Sequence, residues 1–241
     1  MKRRIPALIV KFEKSILISL LFGLIITIMP ACSQKSAEDR SGDVVSDSNE
    51  HEEMKDSFFR LREQTVSVED FESKGYILDI GGGGEGVIGR LKGEQVISID
   101  ISKRELEAAP EGPLKIIMDA RDLQFLDGTF NTSTSFFTLM YIDGSDHEQV
   151  FREIHRVLAS GGKFYIWDVL FPKRTDKDIE IAVVPLRVRL PGEEFQTAYG
   201  GSWPDEGRDL EYYVKMAERT QFEVVSQSEN DLIFYLELRK P

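Results

Sequence analysis

Cysteine occurs once in the 241 residues, as Cys32, and histidine three times, as His51, His147 and His155. A single thiol excludes an internal disulfide framework and a cysteine-built zinc site. It also leaves the chain beyond Cys32 without a cysteine nucleophile. Positive charge is scarce as well. There are 30 Lys and Arg against 42 Asp and Glu, a formal net charge of −12. That balance excludes a broad nucleic-acid footprint and predicts no nucleic-acid partner. No internal repeat is visible, and the longest apolar run lies near the N-terminus.

The basic residues Lys2, Arg3, Arg4, Lys11 and Lys14 precede an apolar run over residues 16–29. This is the order of a secretory signal. The run is shorter than the ~20 residues of a spanning helix. The uncharged window of residues 15–34 is longer, which keeps a single-pass anchor as the alternative. The charge asymmetry places the rest of the chain outside the cytoplasm. The segment ends Ile28-Met29-Pro30-Ala31-Cys32, which resembles a bacterial lipoprotein signal in which Cys32 is lipidated. Residues 1–31 are therefore expected to be a signal or membrane anchor. Residues 32–53 are polar and acidic and cannot bury enough apolar surface to order themselves. They are expected to be a tether reaching about 25 Å.

The pattern changes from residue 54 onward. Short apolar runs at 76–80, 96–99, 116–118, 135–140 and 163–169 predict strands. Residues 146–159 predict a helix with Val150, Phe151, Ile154, Val157 and Leu158 on one face. Ser145 or Asp146 is its expected cap, and Gly161-Gly162 its expected stop. A second helix is expected over 208–220. Runs at 222–226 and 232–238 read as a closing hairpin. The alternation predicts one α/β domain over 54–241, Rossmann-like, with a mostly parallel seven-stranded sheet covered on both faces. Residues 171–203 break the alternation of strands and helices. Ile179, Ile181 and Val183 alternate, as do Leu186, Val188 and Leu190, and the two runs read as the arms of an inserted hairpin, either a lid over a substrate or an extension of the sheet edge.

The most informative stretch is YILDIGGGGEGVIGRL at residues 76–91. Glycines cost conformational entropy. Five of them between a strand and an apolar-spaced run predict close approach of a ligand to backbone at a strand-to-helix turn. Gly81, Gly83 and Gly86 match the dinucleotide fingerprint, a weak pattern by itself. Asp79 stands two residues before Gly81. Asp100 closes the segment VISID, followed by Ile101, and Met118-Asp119-Ala120 closes the next.

Taken in order over residues 76–170, these segments resemble class I S-adenosylmethionine (SAM)-dependent methyltransferases, most closely the small-molecule type of ubiquinone and menaquinone biosynthesis. The resemblance implies SAM as cofactor. Asp79 and the turn at Gly81 and Gly83 would lie beside the methionine moiety. Asp100 would meet the ribose, Ile101 beside it would also line the cofactor site, and Asp119-Ala120 would meet the adenine. The sequence departs from the family at Glu85, which stands at a usual glycine position, and at Asn131, where an acid is common. There is no Asn/Asp-Pro-Pro-aromatic segment after the fourth strand, which argues against methylation of base or glutamine amino nitrogens. Tyr141 and Asp168 are placed near strand ends, where an acceptor could meet them, but neither is assigned as a base. No catalytic residue is identified; in-line methyl transfer depends chiefly on positioning. The function expected is methyl transfer to a small-molecule acceptor. A non-catalytic module of the same fold, tethered outside the membrane, is the alternative, and a nicotinamide-dependent oxidoreductase is a third reading.

Overall fold

A computed structural model describes residues 58–241. The anchor segment 1–31, Cys32, the tether of 32–53 and residues 54–57 lie outside the described residues. The segment ILDI, apolar but for Asp79, makes strand β3 (Ile77–Ile80), buried on both faces. Around it the strands β4 (Val96–Asp100), β5 (Leu114–Ile117), β6 (Phe130–Phe136), β7 (Leu158–Val169), β10 (Glu223–Asn230) and β11 (Ile233–Arg239) complete a sheet of order β10-β11-β7-β6-β3-β4-β5. β5 to β7 run parallel to their neighbours through β4, β3 and β6. β11 and β10 close the sheet antiparallel, as the hairpin pattern predicts. The chain moves outward from β3 through β4 to β5, then returns to the other side of β3 as β6. That reversal opens a crevice beyond the strands' C-terminal ends.

The helices are α1 (Val87–Lys92), α2 (Lys103–Ala108), α3 (His147–Val157) and α4 (Leu210–Arg219). α3 and α4 cover one face of the sheet. Val150, Phe151, Ile154 and Val157 of α3 are fully buried in a core shared with Phe164, Tyr213, Phe234 and Leu236. Each such apolar side chain contributes about 1.5–3 kcal/mol through burial.

The opposite face carries a second sheet rather than a full layer of helices. β1 (Phe58–Arg60) and β2 (Gln64–Ser67) both pair parallel to β8 (Ile181–Leu190). β9 (Glu193–Ser202) pairs antiparallel on β8's other side. Ala182, Val184, Leu186 and Val188 of β8 pack against Phe136, Tyr165 and Trp167 of the large sheet. A hairpin is thus present within 171–203, but not with the expected arms: Ile181 and Val183 of the first alternation and Leu186, Val188 and Leu190 of the second all lie on the single strand β8, and the other arm is β9. The edge-extension reading is corrected as well. The edges of the large sheet are β10 and β5, and the hairpin belongs to a separate sheet laid over its face.

Two further corrections have local causes. The strand expected at 135–140 is β6, which ends at Phe136; Phe137 has φ +50, and a 3-10 turn at Leu139–Tyr141 follows. Asp146 precedes α3 but its side chain makes no capping bond, because Arg121 claims the carboxylate at 2.8 Å. α3 also ends at Val157, before Gly161-Gly162, which lie within the bounds of β7.

Candidate active site

The crevice beyond β3, β4 and β6 is a cleft of about 1400 Å³. Its wall brings together Asp79, Gly81, Gly83, Asp100, Ile101, Asp119 and Ala120, the seven residues expected from the sequence to hold a cofactor. β3 delivers Asp79, with Thr134 of β6 donating to its carboxylate at 2.7 Å. β4 ends on Asp100, whose carboxylate accepts the backbone N–H of Ser102 at 2.8 Å. Asp119 follows β5 and is gripped by the Arg121 guanidinium, which also holds Asp146. Ile101 is 49% exposed, and Ala120 is buried.

The glycine turn is tight because its surroundings leave no room for side chains. Gly81 has φ +71, and a Cβ there would stand 2.3 Å from the Thr138 hydroxyl. Gly82 lies against Asp79 and Ser98, and Gly83 against Glu105 of α2 and the Asp100 carboxylate. The turn spends its donors internally. The N–H groups of Gly81 and Gly82 bond to Ile99 O, Gly84 N–H to Glu105 O, and Gly86 N–H to Gly83 O. Gly83 N–H is directed at Asp100. The amides of these five glycines are therefore not free for a ligand, and α1 is only six residues long.

Carboxylates dominate this half of the cleft. Burial pushes the Asp79 carboxyl up to about 7, against the Thr134 hydrogen bond and with the Asp100 charge adding to it. Burial also raises Asp100 and Glu105, partly offset at Asp100 by three backbone N–H bonds. Asp119 moves the other way, held below the usual carboxylate range by Arg121. Crowding of negative charge favours a cationic ligand here, since a cation relieves the repulsion among these carboxylates.

The other half of the cleft was only partly legible in the sequence, through Tyr141 and the lid reading of residues 171–203. Phe137, Thr138, Met140 and Tyr141 line it from the segment after β6. Ile181, Pro185, Thr197, Ala198, Tyr199 and Trp203 line it from the second sheet. Ring faces meet at this wall, with Phe137 and Tyr199 centroids 5.5 Å apart and Tyr141 edge-on to Tyr199 at 6.5 Å. Tyr141 thus faces the cleft. Asp168 does not: it is fully buried and accepts the N–H groups of Leu139 and Val169, each at 2.8 Å. His147 is also buried, its Nε2–H donating to Leu139 O at 3.0 Å and its Nδ1 accepting from the Tyr212 hydroxyl at 2.9 Å. Burial first, and Arg208 second, lower its pKa to about 4. Both groups support the 3-10 turn that forms part of the cleft wall. His155 packs edge-on to Phe222 at 5.0 Å.

Comparison with known proteins converges on the same segment. Residues 78–166 match the family profile described as a methyltransferase domain. A sterol 4-C-methyltransferase of Caenorhabditis elegans is 32% identical over 114 residues, 43% of this chain and 34% of that protein. The chain thus aligns with about a third of that relative. The structure is similar to a protein of Pyrococcus horikoshii, with a TM-score of 0.51, 19% identity, and coverage of 70% of this chain and 82% of the other. It is similar to a SAM-dependent methyltransferase of Methanosarcina mazei at a TM-score of 0.50 and 17% identity, covering 70% and 94%. Residues 78–166 therefore match a methyltransferase domain, and the fold that carries them is that of the SAM-dependent methyltransferases.

Proposed function

We propose that this chain is a SAM-dependent methyltransferase acting on a small-molecule acceptor. The observation that carries the reading is the electrostatics of the glycine turn. The amide donors of its five glycines are consumed by the fold, and Asp79, Asp100 and Glu105 stand around it. A pyrophosphate would find carboxylates there instead of donors. A ligand with an ammonium, a sulfonium and a ribose diol fits those carboxylates, which argues for SAM over a dinucleotide.

Bound there, the cofactor supplies an electrophilic methyl group on sulfur. Asp79 would hold the ammonium, Asp100 the ribose hydroxyls, and Ile101 and Ala120 the adenine faces. The cleft exceeds the roughly 300–1000 Å³ of an ordinary ligand site, which leaves room for an acceptor beside the cofactor. The match to a sterol methyltransferase supports a small-molecule acceptor. The aromatic wall would orient that acceptor and exclude water, while Tyr141 and Tyr199 stay neutral because their phenols are shifted above their ordinary value, burial being the largest cause. Incubation with methyl-labelled SAM and separate polar and lipid extracts tests the activity. Label in a small molecule with matching release of S-adenosylhomocysteine is expected. Tight SAM binding with no labelled product from either extract would favour the non-catalytic module instead.

The same proposal places the domain at a membrane, through residues 1–31 and lipid on Cys32. The basic-then-apolar order and the cysteine at its end support it. Expressed in a bacterium, the protein is expected in the membrane fraction, and Cys32→Ser is expected to abolish lipid labelling. Full-length wild-type protein found soluble in the cytoplasm would contradict this placement.

A further inference from the structure

Glu85 stands where the glycine pattern leads one to expect no side chain, and the cofactor reading gives it no task. In the structure its carboxylate leaves the turn and reaches the second sheet, where the Thr197 hydroxyl of β9 donates to it. Tyr199, two residues on, has its phenol pushed well above the ordinary value by burial first and then by the Glu85 charge. A second link starts from the helix that follows the turn. Arg90 of α1 pairs with Glu193 at 2.7 Å and lies over the Phe195 ring at 4.8 Å. Its Nε also bonds back to the Glu85 carbonyl at 2.7 Å.

The four β9 residues involved are 193, 195, 197 and 199. Successive strand residues alternate between faces, so these four form one continuous row on one face of one strand. The row runs along the glycine turn and the helix after it. A chance surface contact would not engage every second residue over seven positions through two side chains from adjacent parts of one loop-helix unit.

We infer that Glu85 and Arg90 form a clasp that couples the glycine turn to β9, and that Glu85 is the positioning residue that transmits occupancy of the cofactor half of the cleft to the wall of the acceptor half. This rests on the cofactor reading above. The turn is packed tightly against Asp79, Asp100 and Glu105, so a ligand that orders it also orders Glu85. Glu85 in turn fixes Thr197 and Tyr199, which line the acceptor half. The departure from the glycine pattern then has a physical cause: a glycine at residue 85 would leave the acceptor wall without its link to the turn. Arg90 holds the outer end of the row, so loss of Glu85 loosens the inner end without detaching the sheet.

Hydrogen exchange on the full-length protein, with S-adenosylhomocysteine as the probe, tests the coupling. In wild type, saturating ligand is expected to slow exchange of the amides of residues 194–200 at least fivefold. In Glu85→Ala that protection should fall below twofold while the ligand still binds. Glu85→Gln, which still accepts a hydrogen bond from Thr197, should retain most of it. A merely structural role would lower protection throughout the domain and would not depend on ligand. Equal protection of β9 in wild type and Glu85→Ala, or none in a wild type that binds the ligand, would overturn the coupling. If wild type binds no ligand, the cofactor reading fails, and the clasp is judged on the ligand-free protein alone. There Glu85→Ala must speed exchange at residues 197–199 at least fivefold relative to β3, and an unchanged rate would refute it.

Discussion

SAM affinity is expected to fall about thirtyfold as pH drops from 8 to 5.5, and to become flat with pH in Asp79→Asn. The sign follows from burial. The Asp79 carboxyl titrates near 7 in the empty fold because burial penalises its charge. An ammonium beside it favours the ionised form, so binding releases a proton below that value. Affinity therefore rises with pH until the carboxyl is already ionised, by up to about tenfold per pH unit. At pH 8 the Asn variant should bind roughly ten- to a hundredfold more weakly, having lost a charge-assisted contact of about 1.5–3 kcal/mol. Asn can still accept from Thr134, so folding is preserved. The ligand-free protein gives an independent check. A carboxyl raised from its unfolded value contributes stability that is fully present below that value, near 4, and is lost as pH rises through about 7. Relative to the Asn variant, wild type should lose on the order of 3–4 kcal/mol across that window. Calorimetry in buffers of different ionisation enthalpy measures the proton release. A wild-type affinity that does not change between pH 5.5 and 8 would contradict the role given to Asp79.

Asp100→Ala is expected to weaken SAM about tenfold to several hundredfold, since two ribose hydroxyls lose a carboxylate partner. From its position in the sequence alone, the residue reads as a tip in an exposed crevice whose loss the fold would tolerate. The structure corrects that. The Asp100 carboxylate is half-buried and accepts the backbone N–H groups of Ser102, Gly83 and Ile101. Truncation strands those donors, so Asp100→Ala should also lower stability by about 1–3 kcal/mol. Asp100→Asn keeps an acceptor and should lose much less stability than Ala while still binding SAM more weakly than wild type. Urea denaturation and a dissociation constant for each variant separate the two effects. SAM binding unchanged in both variants would remove Asp100 from the site.

The large sheet and the glycine turn were readable because their signals are local. ILDI followed by glycines, and VISID ending on an acid, state strand, turn and carboxylate within a few residues. β6 was harder. Its sequence FNTSTSF is polar, yet residues 132–135 are buried, with Ser133 bonded to Leu78 O and Thr134 to Asp79. Those partners lie 55 residues away, beyond any local pattern. The second sheet was only half legible. β8 showed as two short alternations that read as two arms, β9 did not register as a strand, and β1 and β2 have three and four residues, too few for a periodicity to register. Their partner β8 lies more than a hundred residues further along the chain. The Asp146 cap failed for a similar reason, since Arg121 is 25 residues upstream and an ion pair replaced the cap. Glu85 read only as a departure from the glycine pattern, because nothing in the sequence shows that Thr197 donates to its carboxylate.

The central claim is that this cleft is a SAM site, and a calorimetric titration of the purified full-length protein with SAM and, separately, with NAD tests it most directly. The carboxylates around an amide-poor turn predict one SAM bound per chain and no heat of binding for NAD at the same concentrations. Binding of NAD without binding of SAM, or of neither ligand, would contradict it.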